Sequence, residues 1–231
     1  MGGFVSRPSS DLYLRWAAFG MFTSHSRTHG APPREPWEYG PEFTKQFREL
    51  DNLRYALMPY IYTQAKACTE KGLPMVRALF IEFPEDPGSW LIDDEYFFGS
   101  ELLIAPLFES DGKRSVYLPP GMWINYQTHR EYTHGWHTIN PGSLPIVIMV
   151  REGAVIPHIQ TAQSTRFLDW SKIRLQVFAK NHQEASGSLY LPDIKQMKPL
   201  TIRMRSEEKP FLVQDPFHGH ITWIIDPVRP K

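Results

Sequence analysis

The chain has 231 residues, 42% of them hydrophobic and 13% aromatic, with 25 basic side chains against 25 acidic ones. That is ample material for one large domain or two smaller ones, and too apolar for a disordered chain. The balanced charge gives no pull toward nucleic acid or an anionic membrane, so neither is expected as a partner. Cys68 is the only cysteine. It cannot form an intramolecular disulfide or a cysteine zinc site, and no basic neighbour marks it as reactive. The longest apolar run, around PIVIMV, is far too short to span a bilayer. The opening MGGFVSRPSS has neither the charged nor the apolar region of a signal peptide. With one cysteine, that makes the cytoplasm the expected compartment.

In chain order, residues 10–18 read as a short helix with Ser10 as cap and Asp11 in its first turn. Residues 17–24, AAFGMFTS, read as a buried parallel strand, with a buried helix end as the alternative. GAPPREPWEYGP over 30–41 is a loop, broken by its prolines and glycines. From Glu42 to Lys71, Phe43, Phe47, Leu50, Leu53, Leu57 and Ile61 recur at steps of three and four, which is one helix face. Pro41 suits the first helical position, Gly72 the stop, and Pro59 predicts a kink or break near Met58. MVRALFIEF, residues 75–83, reads as strand or extended loop. From about residue 95, short β-like runs separated by Pro and Gly give an antiparallel sandwich signature, continuing through IRLQVFAK, GSLYLP, LTIRMRS and HITWIID. One βα unit cannot bury both faces of a parallel strand, so the opening implies further strands beside it.

The chemistry-bearing stretch is TSHSRTHG, residues 23–30. In α/β barrels, functional side chains sit at the C-terminal ends of strands. His25, Arg27 and His29 occupy that place if 17–24 is a strand. Alternation puts all three on one side of an extended chain, where Arg and His can donate to hydroxyl groups. The bland alternative is a solvated loop. Metal binding by His25 and His29 lacks a nearby carboxylate. His129, His134 and His137 show no ligand spacing, and Asp86, Asp93, Asp94 and Glu95 read as turn and cap residues. There is no G-x-S-x-G, P-loop or G-x-G-x-x-G, and no cofactor is expected.

RWAAFGMFTSHSRTHG, REPWEY, LRYALMPYIYTQAKACTEKGLPMVRALFIEFPEDP, FFGSELLIAPLF, VYLPPGMWINY and LPIVIMVREGAVIP together resemble glycoside hydrolase family 31, in order and spacing, from about residue 2 to residue 158. The resemblance weakens from 159 to 231. It implies an α/β plus all-β fold: the last βα unit of a (β/α)8 barrel followed by antiparallel β-sandwich domains. The expected divisions are 1–88 for the barrel end, 89–158 for a proximal sandwich and 159–231 for a partial distal one. It also implies a retaining α-glycosidase, either an α-xylosidase or an α-glucosidase, working with two aspartates. Both lie upstream of the region matched, so no catalytic residue is expected in this chain. GGF at 2–4 resembles the tail of the family motif after the seventh strand. His29 falls on the family's sugar-binding histidine, Arg27 on an arginine of less defined role, and Trp37 on a tryptophan expected to pack.

The implied partners are an α-linked oligosaccharide or α-glycoside and an N-terminal catalytic part of the same enzyme. Homo-oligomerisation and the choice of sugar are left open. The alternative is a non-catalytic sandwich that stacks sugars on Trp123, Tyr126 and Trp136, favoured if those rings share an exposed flat face. A third reading pairs the chain with a separately encoded catalytic part.

Overall fold

The computed structural model describes residues 1–179, 184–204 and 209–228. Its first regular element is a helix, α1 (Ser10–Met21). Ser9, one residue before the expected cap, accepts the Leu12 N–H at 3.2 Å and so satisfies a donor that the helix leaves free. The strand expected over 17–24 is not formed. The helix continues through Met21, and residues 22–30 are in no strand. A short apolar run fits a buried helix as well as a buried strand. Here Ala17, Ala18, Met21 and Phe22 supply the i, i+4 contacts of a helix face sunk in the core.

The periodic stretch that follows forms two helices, α2 (Pro41–Ala56) and α3 (Met58–Lys71). The break at Leu57 lies beside Pro59, which has no N–H to continue the ladder. Gly72 ends α3 at φ +69, its N–H bonded to the Cys68 carbonyl at 2.9 Å. That left-handed turn is one glycine makes without a Cβ clash. The segment expected as extended over 75–83 divides into β1 (Val76–Arg77) and a helical turn, α4 (Leu79–Glu82).

Two six-stranded sheets follow. The first contains β1, β2 (Tyr96–Phe98), β3 (Leu102–Pro106), β4 (Arg114–Asn125), β5 (Glu131–Ile139) and β6 (Ile146–Arg151), in the order β1-β2-β3-β6-β4-β5. Its pairings are antiparallel. The second contains β7 (Ala154–Ile159), β8 (Lys172–Phe178), β9 (Glu184–Leu191), β10 (Ile194–Arg203), β11 (Phe211–Leu212) and β12 (Thr222–Pro227), in the order β11-β10-β9-β7-β8-β12. It is mixed, because β7 runs parallel to β9 and β12 parallel to β8. The expected strand ends at Lys180 and residues 205–206 lie outside the described residues.

Period-two alternation sorts the side chains. Leu102, Ile104, Ile146, Ile148 and Val150 face the helices and pack with Leu50, Leu57 and Tyr60. Leu103, Ala105, Val147 and Met149 face the other way, against Leu118 and Trp123. Ala154, Ile156 and Phe178 of the second sheet fill the first of these cores, while Val155, Ile173, Leu175 and Leu200 build a third. The chain passes between the sheets through Glu152 and Gly153 alone. The Glu152 N–H bonds to Met122 O in the first sheet, and Gly153 bonds to Phe178 and Ser186 in the second. Among the described residues, no helix is long and apolar enough to cross a membrane.

Candidate functional site

The segment carrying His25, Arg27 and His29 leaves α1 at Phe22, which is buried and anchors its base. Arg54 of α2 donates to the carbonyls of Met21 and Thr23, the latter at 3.0 Å. Burial lowers the Arg54 guanidinium from its ordinary value, and the charge of Asp51 works against that. The Thr23 hydroxyl lies 2.8 Å from Gly20 O and 2.9 Å from His25 O. Beyond this anchored turn, Ser24 through His29 are exposed. The Met1 ammonium donates to Arg27 O at 2.5 Å, and the Ala31 N–H to Phe4 O at 2.8 Å. The residues GGF therefore lie alongside this segment, and the Phe4 ring packs on the His29 imidazole at 5.4 Å.

A cavity of about 530 Å³ opens here, lined by Thr28, His29, the 30–36 loop and Trp37. It brings His29 and Trp37 together but leaves out His25 and Arg27. Trp37 was expected to pack, yet it is 69% exposed. The short 3-10 turn Pro36–Tyr39 directs Tyr39 inward, onto the Tyr13 ring at 4.8 Å, and leaves the indole outside. A cavity joining an imidazole to an open indole suits a small polyhydroxylated ligand, with hydrogen bonds from one and an apolar face from the other. Glu35 is the one carboxylate in its lining, and one of its oxygens accepts the Arg34 N–H at 3.0 Å. Retaining glycoside hydrolysis uses two carboxyl groups about 5–5.5 Å apart, so this cavity does not hold a catalytic pair.

The other candidates are engaged elsewhere. Asp86 accepts from Gly88 N, the Ser89 hydroxyl and the Tyr117 hydroxyl, as a turn residue should. Glu95 is buried and accepts the Tyr117 N–H at 2.8 Å. His134 bonds to Leu118 O and His137 to Thr133 O, while His129 lines a separate polar cavity of about 590 Å³. Among the described residues, no group of three or more His, Cys, Asp or Glu could hold a metal ion. The three sandwich aromatics do not share a face. Trp123 is buried, with its indole N–H on Pro119 O, and the Tyr126 hydroxyl meets His158 at 2.7 Å. Trp136 is 60% exposed. Cys68 lies 3.9 Å from Arg77 Nη2, while Nη1 of the same guanidinium pairs with Glu82.

Residues 1–64 match the model of the glycosyl hydrolases family 31 TIM-barrel domain, and residues 72–156 that of the family's C-terminal domain. The chain belongs to glycosyl hydrolase family 31. Within it, the chain is 36% identical over 167 residues to an α-xylosidase of Emericella nidulans, covering 68% of this chain and 21% of that protein. It is 32% identical over 216 residues to the lysosomal α-glucosidase of Rattus norvegicus, covering 83% and 23%. A family 31 dextranase of Flavobacterium johnsoniae, solved with glucose, superposes on 94% of this chain and 29% of its own at a TM-score of 0.80 and 28% identity. The chain thus spans about a quarter of the length of the curated family 31 proteins it matches. Residues 10–71, the helical part, fall largely inside the barrel match, and the first sheet falls inside the C-terminal match.

Proposed function

We propose that this chain is the C-terminal portion of a retaining α-glycosidase that hydrolyses the O-glycosidic bonds of α-xylosides or α-glucosides. His29 donates to a sugar hydroxyl from one wall of the pocket. Arg27, two residues away on the same segment, shapes the approach to that pocket. The cavity shared by His29 and Trp37 carries this reading. The names of the relatives, α-xylosidase and α-glucosidase, support the substrate class. The two carboxylates come from the rest of the barrel. The apolar stripe on the outer face of α1, Leu12, Trp16 and Phe19, is the surface on which that remainder packs, together with Phe4 and Val5.

The test is a nuclear magnetic resonance titration of the chain with methyl α-xyloside and methyl α-glucoside. Shifts of the His29 ring and the Trp37 indole are expected, and His29→Ala should weaken the affinity read at the Trp37 indole by about tenfold, one hydrogen bond's worth. An absence of shifts at both rings at saturating sugar sinks the reading. The chain by itself should not turn over an aryl α-glycoside above a mock preparation, and turnover would place a catalytic pair within residues 1–231.

A further inference from the structure

Arg34 sits in a proline-rich loop, where a charged side chain ordinarily reaches into water, yet it is only 5% exposed. Its guanidinium is fully occupied. Nε and Nη2 donate to Gly3 O at 3.2 and 2.9 Å, and Nη2 also to Ser6 O at 2.7 Å. Nη1 meets Pro33 O and the Tyr39 hydroxyl, both at 3.2 Å, and Pro32 O at 3.4 Å. A guanidinium has five N–H donors in a planar fork, and here the fork joins two separate stretches of backbone and the Tyr39 hydroxyl. Its own carbonyl is held as well, by the Tyr13 hydroxyl at 2.8 Å.

Two glycines make room for it. A Cβ on Gly30 would come within 2.8 Å of Nη2 and of Gly3 O, and one on Gly2 within 3.0 Å of the Arg34 side chain. Gly30 follows His29 directly. The side chain thus ties the GGF stretch to the loop that ends the candidate site, and the Phe4 ring that packs on His29 belongs to the tied stretch.

We infer that Arg34 is a positioning residue: it fixes the course of residues 29–34 against residues 2–6, and through Phe4 and Gly30 it fixes the direction of the His29 ring. Its donors are spent on the protein, so it does not itself bind sugar. A fixed imidazole binds a hydroxyl without the cost of ordering a loop. That consequence rests on the sugar-pocket reading above, whereas the ordering itself does not.

The experiment compares the whole chain with Arg34→Gln, Arg34→Lys and Gly30→Ala, without sugar. Two readouts report on the tie: exchange of the Ala31 amide, which bonds to Phe4 O, and the line width of the His29 ring proton. Arg34→Gln and Gly30→Ala should each speed Ala31 exchange by about tenfold or more and broaden His29, in a chain that remains folded by circular dichroism. Arg34→Lys, a point charge without the fork, should give an intermediate effect. An unchanged His29 line and unchanged Ala31 exchange in a folded Arg34→Gln chain overturn the inference. If that variant does not fold, Gly30→Ala decides in the same two readouts. It keeps the charge and has no positive φ to strain. Repeating the sugar titration on the parent separates the two claims, since an ordered His29 that ignores sugar defeats only the pocket.

Discussion

Glu95 and His158 are both held in their neutral forms, for different local reasons. Burial pushes the Glu95 carboxyl up to about 8, although the Tyr117 N–H and the Arg114 charge pull it down. Among the described residues, its second oxygen has no hydrogen-bond partner. Burial likewise holds His158 down at about 4, against its bond to Ile156 O. For an acid whose folded value exceeds the unfolded 4.5, the unfolded chain loses its proton first. Glu95 therefore costs stability progressively from about pH 4.5 to 8. His158 acts in the opposite sense, and its contribution is lost as pH falls from 6.5 to about 4. Glu95→Gln should melt above the parent by a margin that widens between those first two pH values, in a thermal series across them. A constant margin would mean that Glu95 is ionised in the folded chain. Neither burial was legible in the sequence. Glu95 follows two aspartates in what looks like a polar turn, and only the fold shows that its side chain points under β4.

Tyr60 does at the scale of elements what the glutamate does at the scale of one group. Its ring is buried in the helical core, its hydroxyl donates to Phe98 O at 2.7 Å, and it accepts the Glu101 N–H at 3.2 Å. It therefore bolts α3 to the β2–β3 turn. Tyr60→Phe keeps the ring and orphans two backbone groups. The loss should be about 1–3 kcal/mol, or roughly 2–10 °C in melting temperature, read by calorimetry. A shift under a degree would show that water replaces the hydroxyl. The helix itself was readable, since Pro41, Pro59 and Gly72 punctuate a clear 3.6-residue period. The strand expected over 17–24 was misread because periodicity over so short an apolar run does not distinguish helix from strand. Arg34 was missed for another reason. Flanking prolines read only as a loop, while their carbonyls are in fact its acceptors.

For the whole molecule, the decisive surface is the outer face of α1. Leu12, Trp16 and Phe19 stand at i, i+4 and i+7 and are all exposed, continuous in sequence position with nothing polar among them on that stripe. Water is a poor solvent for such a face. The parent chain should self-associate as concentration rises in size-exclusion chromatography, and the double variant Leu12→Lys, Trp16→Lys should stay monomeric with its melting temperature nearly unchanged. A monomeric parent at every concentration would show that the stripe is too small to drive association. The two-sheet organisation was visible as a run of short strands, but the parallel pairings were not, because β12 meets β8 across more than forty residues that no turn signal bridges. The crossing at Glu152 and Gly153 has a consequence for anyone recombining this family. A joint placed there looks like a linker, yet it parts Ala154 and Ile156 from the core they complete. A transplanted second sheet would arrive carrying its donor's plugs for a socket shaped by the recipient, and a joint after Ile159 fares no better, since it parts β7 from β8 and β9 and Phe178 from the first core.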